Sequence, residues 1–263
     1  MITSHSDTQP VVVARNIHKS FLQGDSNIPA LSGVDLTIET GEFVAICGHS
    51  GSGKSTLLNV IGTLEIPDDG ELILWGNPVR YEHKQSGQLN TGCIRQHEQL
   101  RQAGLGFVFQ NFNLNPALTA LENVAIPLLL TNASPSVRHE KAAALLEQVG
   151  LGDRLNHKPG ELSGGQQQRV AAARALVTEP RLVLADEPTA NLDSHSTEQL
   201  VQTLRQLNQT TGTTLLFSTH DERLLGHVDR KVLLHDGKLE PSALSAMPAE
   251  TTTTGATATG AML

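Results

Sequence analysis

Apolar runs of strand length recur along the chain, separated by polar turns. Val11–Ala14, Leu31–Ile38, Glu42–Cys47, Leu105–Phe109, Leu182–Ala185 and Thr213–Ser218 are short and bounded by turn residues, which predicts β-strands. Stretches with helical spacing lie between them. Thr56–Ile61 opens a helix that stops near Gly62, and Ala143, Leu146 and Val149 form one stripe of a helix over Val137–Val149. That helix has a Ser134-Pro135 start and a Gly150 stop. Asn115–Thr119 leads into a helix through Glu122–Ile126, Ser163 caps one running to Ala175, and Ser196–Leu207 forms another. Ile17–Phe21 follows the first strand, and Gln23–Pro29 reads as a polar loop. Glu71–Trp75 with Asn77–Val79 is hairpin-like, Tyr81–Gln102 reads as loop and helix, and Val228–Leu234 pairs with Lys238-Leu239 over Asp236-Gly237.

The order of these elements predicts an α/β domain over residues 11–239. Two antiparallel strands precede the first strand–loop–helix unit, so an antiparallel β subdomain and a mixed sheet are expected. The block over about residues 111–175 is all-helical and reads as an inserted helical subdomain. Residues 1–10 read as a disordered leader and residues 240–263, with Thr251–Gly260, as a low-complexity tail.

Composition narrows the function. The net charge is −8, which argues against a nucleic-acid surface and against direct docking on anionic lipid. The two cysteines, Cys47 and Cys93, make no disulfide framework and suit a reducing compartment. No apolar run reaches membrane-spanning length; Val124–Leu130 is short and holds Pro127. Any membrane contact is expected through a partner.

The chemistry centres on Gly48-His49-Ser50-Gly51-Ser52-Gly53-Lys54-Ser55, followed by Thr56. It fits the phosphate-binding loop pattern and sits between a strand and a helix, the order that pattern requires. Glycines let backbone N–H groups turn inward, and the helix N-terminus favours the same anion. Lys54 can reach β/γ-phosphates, and the Ser55 hydroxyl suits Mg²⁺. The fold class is therefore α/β with a P-loop NTPase core.

Other candidates follow from their places at strand ends. Asp186 and Glu187 end an apolar strand; Asp186 suits Mg²⁺ and Glu187 suits activation of water. Gln110, just past Leu105–Phe109, is a ligand group or a strand-end hydrogen bond. His220, just past Thr213–Ser218, contacts a γ-phosphate or caps a helix. Phe21 stacks on adenine or packs a sheet edge. Gly164 and Gly165, in the first turn after Ser163, are costly in a helix and suggest close approach to an anion.

Together these residues resemble the nucleotide-binding subunit of ABC transporters over about Val11–Leu239. The stretch LSGGQQQR, Leu162–Arg169, is the most diagnostic. The resemblance implies ATP and Mg²⁺ as ligands. Gly48–Ser55 is then Walker A, Asp186 the Walker B acid and Glu187 the base. Gln110 is the Q-loop glutamine, facing Mg²⁺ or the water, and His220 is the switch histidine. Asn191-Leu192-Asp193 lies in the D-loop and Phe21 fills the adenine-stacking place. Ser163-Gly164-Gly165-Gln166 meets the γ-phosphate held by the other subunit of a homodimer. Closure and reopening of that dimer drive a separate membrane permease, which places the chain peripherally on the cytoplasmic face of the inner or plasma membrane. Ala117–Leu130, the DSHS after Leu192 and the LSGGQQQR form are similar to the macrolide-efflux and lipoprotein-release group. Ala190 stands where glycine is usual, adding a methyl group near the dimer seam. A division-type regulator of an envelope process, using the same cycle without transport, is the alternative.

Overall fold

The computed structural model describes residues 9–82 and 89–240, apart from the side chains of Glu222 and Arg223. The expected leader up to residue 8, the tail from residue 241 and residues 83–88 lie outside the described residues.

The strands form two sheets. β1 (Val12–Gln23), β2 (Ser26–Ile38), β4 (Asp69–Leu74) and β5 (Asn77–Pro78) make a four-stranded antiparallel sheet in the order β2-β1-β4-β5. The second sheet has the order β10-β9-β3-β8-β7-β6, with β3 (Phe43–Cys47), β6 (Leu105–Val108), β7 (Leu182–Asp186), β8 (Thr214–Thr219), β9 (Arg230–His235) and β10 (Lys238–Leu239). Its strands are parallel except β10, which pairs antiparallel with β9. The sheet is thus mixed because of its last strand. The N-terminal pair that prompted the expectation belongs to the other sheet.

The central strands read as continuous apolar runs because both faces of the sheet are covered. Alternate residues part to opposite sides. Val44, Ile46, Leu182, Leu184 and Leu216 join a core with α1 (Lys54–Ile61) and the antiparallel sheet. Phe43, Ala45, Val183, Ala185 and Phe217 join a second core with α5 (Gly164–Leu176) and α6 (Ser194–Thr211). That second core also takes Val124 of α3 (Ala120–Ala125) and Leu146 of α4 (Pro135–Gln148).

The expected polar loop Gln23–Pro29 is instead the tip of the β1–β2 hairpin. Phe21 pairs with Ile28 and Gln23 with Ser26, leaving Gly24-Asp25 as the turn. Residues 21–29 are exposed, so no buried face imposed the alternation that marks a strand. α2 (Thr91–Gly104) lies in the expected polar stretch, capped by Asn90. α3 begins at Ala120, where Thr119 and Glu122 form a capping box. The residues before it are held by buried Asn123, which accepts from Asn115 N and donates to the carbonyls of Asn115, Leu118 and Thr119.

Candidate functional site

The register of the parallel strands brings the candidate residues to one edge. Cys47, which leads into the glycine loop, aligns with Thr219, and Asp186 aligns with Ser218. The carboxyl ends of β3, β7 and β8 thus deliver the loop, Asp186-Glu187 and His220 together, where α/β sheets place ligands.

The loop is held close to its neighbours. A Cβ on Gly48 would lie 2.2 Å from Leu234 O, and one on Gly53 would lie 2.4 Å from Ala30 O. Gly53, with φ of 103°, is also the N-cap of α1, which has no side-chain cap and no acid in its first turn. The first N–H groups of α1 therefore have no partner within the helix and face the loop with their positive end. Lys54 is 6% exposed and its Nζ donates to Gly48 O (2.8 Å) and His49 O (3.0 Å). A buried ammonium needs such acceptors, and a bound anion can replace them. Ser52 Oγ is buried with no hydrogen-bond partner.

Beside Lys54 stands a compact network. Ser55 Oγ and Ser218 Oγ both donate to Asp186 Oδ1, at 2.9 and 2.6 Å. The Ser218 hydroxyl also accepts from Glu187 N at 2.9 Å. Glu187 Oε1 is 3.9 Å from Lys54 Nζ and 3.4 Å from His220 Nδ1. Glu187 has φ of 43°, a left-handed conformation costing about 1–2 kcal/mol for a residue with a Cβ. Glu187 and His220 also line a cleft of about 300 Å³ with Thr189, Ala190, Leu192, Thr219 and Asp221. A serine hydroxyl, an aspartate and a spare buried hydroxyl beside an uncapped helix fit a magnesium–phosphate ligand. Burial raises the Cys47 thiol above its ordinary value against the pull of Lys231 and Lys54, so it stays a thiol and packs.

The other candidates lie further out. Gln110 is an exposed turn residue whose carbonyl accepts from Asn191 Nδ2 at 3.1 Å. Phe21 is 43% exposed on the hairpin arm, with Lys19 Nζ 5.2 Å from its ring centroid. The arm is near the loop, since Ala30 on β2 abuts Gly53. Thr56 is in the first turn of α1. His49, Ser50 and Gly51 form the outer part of the loop.

Ser163 caps α5, accepting from Gln166 N, while Gln166 Oε1 accepts from Ser163 N. The two glycines there differ. A Cβ on Gly165 would lie 2.5 Å from Ser196 Oγ, so the packing of α5 on α6 already requires that glycine. A Cβ on Gly164 would meet nothing closer than 3.6 Å. Asp193 is the N-cap of α6, accepting from His195 N and Ser196 N and from Ser196 Oγ.

Two residues escaped the sequence reading. Ser218 supports both acids, and its one signal was a hydroxyl at the end of a core strand beside them. Arg174 of α5 donates to Phe112 O and Asn113 O, pinning the loop after Gln110, where both residues are left-handed. Nothing local in the sequence marks that contact.

A glycine cradle opening an uncapped helix, with a buried lysine, an exposed serine and a half-buried aspartate converging on it, defines a phosphate-loop nucleotide-binding protein. Residues 31–190 match the ABC transporter family, and the chain belongs to it. The lipoprotein-releasing system ATP-binding protein LolD of Alcanivorax borkumensis is 45% identical over 234 residues, covering 89% of this chain and 98% of that protein. The macrolide export ATP-binding/permease protein MacB of Hyphomonas neptunium is 44% identical over 232 residues, covering 88% of this chain. The chain spans 34% of the length of that MacB. A solved dimeric ATP-binding cassette in a post-hydrolysis state with ADP and Pi is 41% identical, with a TM-score of 0.78 over 90% of this chain and all of that one. No helix among the described residues is long and apolar enough to cross a membrane.

Proposed function

We propose that the chain is the ATP-hydrolysing subunit of an ABC system, working as a homodimer around two ATP and driving a separate membrane permease. The likeness to LolD over nearly that protein's full length supports lipoprotein release or related envelope export as its class of work. The protein would then sit peripherally at the cytoplasmic face of the inner membrane. The observation that carries the reading is the convergence of Ser55, Asp186, Glu187 and His220 beside buried Lys54.

In this reading the N–H groups of Gly48–Ser55 and Thr56 bind the phosphates, and Lys54 exchanges its carbonyl partners for phosphate oxygens. Ser55 and Asp186 would hold Mg²⁺, with Gln110 reaching toward it from the strand end; when bound, the ion would supply positive charge to offset that developing on the phosphates. Glu187 takes the proton of the attacking water at its carboxylate, and His220 orients that carboxylate through Nδ1. Phe21 stacks on the base. Ser163–Gln166 and Asp193 complete the site across the dimer.

A groove of about 540 Å³ suits the permease. Phe107, Phe109, Pro127 and Leu130 give it apolar walls; Leu130 is 70% exposed, and Leu129 next to it in the chain is 59% exposed. Arg174 lines the same groove and holds the loop after Gln110, so a segment seated there would press on the residues next to the site.

Phosphate release by purified protein with ATP and Mg²⁺ tests the chemistry. Glu187→Gln is expected to lower turnover by about 10²–10⁴-fold while ATP still binds. Parental turnover in that variant would place the base elsewhere.

A further inference from the structure

Three groups that bind metals meet beside the phosphate loop, and the nucleotide chemistry uses none of their side chains. They are His49, inside the loop, His235, at the end of β9, and Asp236, in the turn that follows. One ligand atom of each lies within 4.8 Å of the others, and all three residues are exposed to solvent. We infer that His49, His235 and Asp236 form a binding site for a divalent transition metal of the Zn²⁺ type, which ties the phosphate loop to the β9–β10 turn.

The geometry suits that chemistry. His49 Nδ1 is 2.8 Å from Ser50 O and donates to it, which leaves the Nε2 lone pair free. That Nε2 faces Asp236 Oδ1 at 3.3 Å. His235 presents Nδ1 to the other carboxylate oxygen at 3.5 Å. The two rings meet edge to face, with centroids 5.1 Å apart. Two imidazoles and one carboxylate, with further positions open to water, are a donor set that Zn²⁺ accepts and that Mg²⁺ and Ca²⁺ do not favour.

The ligands are also placed in advance. Asp236 and Gly237 form a left-handed turn with φ of 46° and 74°. Gly237 N donates to Ser52 O at 3.0 Å, and Ser32 N donates to Gly237 O at 2.8 Å. The turn is therefore already strapped to the phosphate loop, and metal binding orders little more than three side-chain rotamers. His49 is linked onward, because its carbonyl accepts from Lys54 Nζ.

The test is calorimetric titration of the full chain with ZnCl₂, after chelator treatment and without nucleotide, with a melting curve at each end point. The parent is expected to bind one ion and to melt at higher temperature when loaded. His235→Ala and Asp236→Asn, the second of which keeps a residue suited to the left-handed turn, are each expected to weaken binding about tenfold or more, since removing groups that merely orient ligands already costs that much. Cys47→Ser with Cys93→Ser is expected to leave binding unchanged, and millimolar Mg²⁺ is expected not to compete. Unaltered affinity in both turn variants, or loss of the site with the cysteines, would overturn the assignment.

Discussion

Two glycine-led helix starts carry the proposed site, and they are finished differently. At α1 the N-cap is Gly53 with no side chain to offer, and Lys54, Ser55 and Asp186 gather around the open end. At α5 the Ser163–Gln166 capping box occupies part of the helix end, and Ser196, whose hydroxyl donates to Asp193, packs against Gly165. In the proposed function the first start serves as a whole phosphate site. The second is half of one, with N–H groups at Gly164 and Gly165 that helix geometry leaves without intrahelical partners. The difference suits a nucleotide bound by the first end and closed over by the second end of another copy.

Substitutions at each end sharpen that contrast. The largest effect is expected at Lys54. Lys54→Met removes an ammonium with two charge-assisted hydrogen bonds, and ATP affinity measured by titration should fall about 100-fold or more. Unchanged affinity would remove the phosphate-loop assignment. At the other end, neighbouring glycines should part. Gly165→Ala drives a methyl group into Ser196 and should cost about 1–3 kcal/mol in denaturant unfolding of the monomer. Gly164→Ala should leave that stability intact and weaken only ATP-dependent association. Equal destabilisation by both would show that α5 is built for its own fold alone. The smallest effect is expected at Ser218→Ala, which takes one hydrogen bond from Asp186 and one from Glu187. Turnover should fall about tenfold with ATP affinity kept, because the support lost orients the acids and leaves the loop whole.

The same contrast explains what the sequence could show. The phosphate loop is local: strand, glycines, lysine and helix follow one another, so pattern alone placed Gly48–Ser55. Asp186 and His220 were legible at a distance because strands of one parallel sheet end at one edge. Other features depend on contacts that no short pattern encodes. Gly165 read as an anion-binding glycine, yet Ser196 already demands it, and that contact joins two helices far apart in sequence. Arg174 pins the loop after Gln110 across a similar gap. The β1–β2 arm failed for the opposite reason. Both of its faces meet water, so backbone pairing held it without leaving an apolar alternation to read.

The proposed cycle requires one open helix end to meet its complement on a second copy. Light scattering of the Glu187→Gln protein with ATP and Mg²⁺ measures this directly. A doubled mass that returns to that of one chain when ATP is withdrawn is the result expected. A single-chain mass with ATP demonstrably bound at saturating concentration would contradict it.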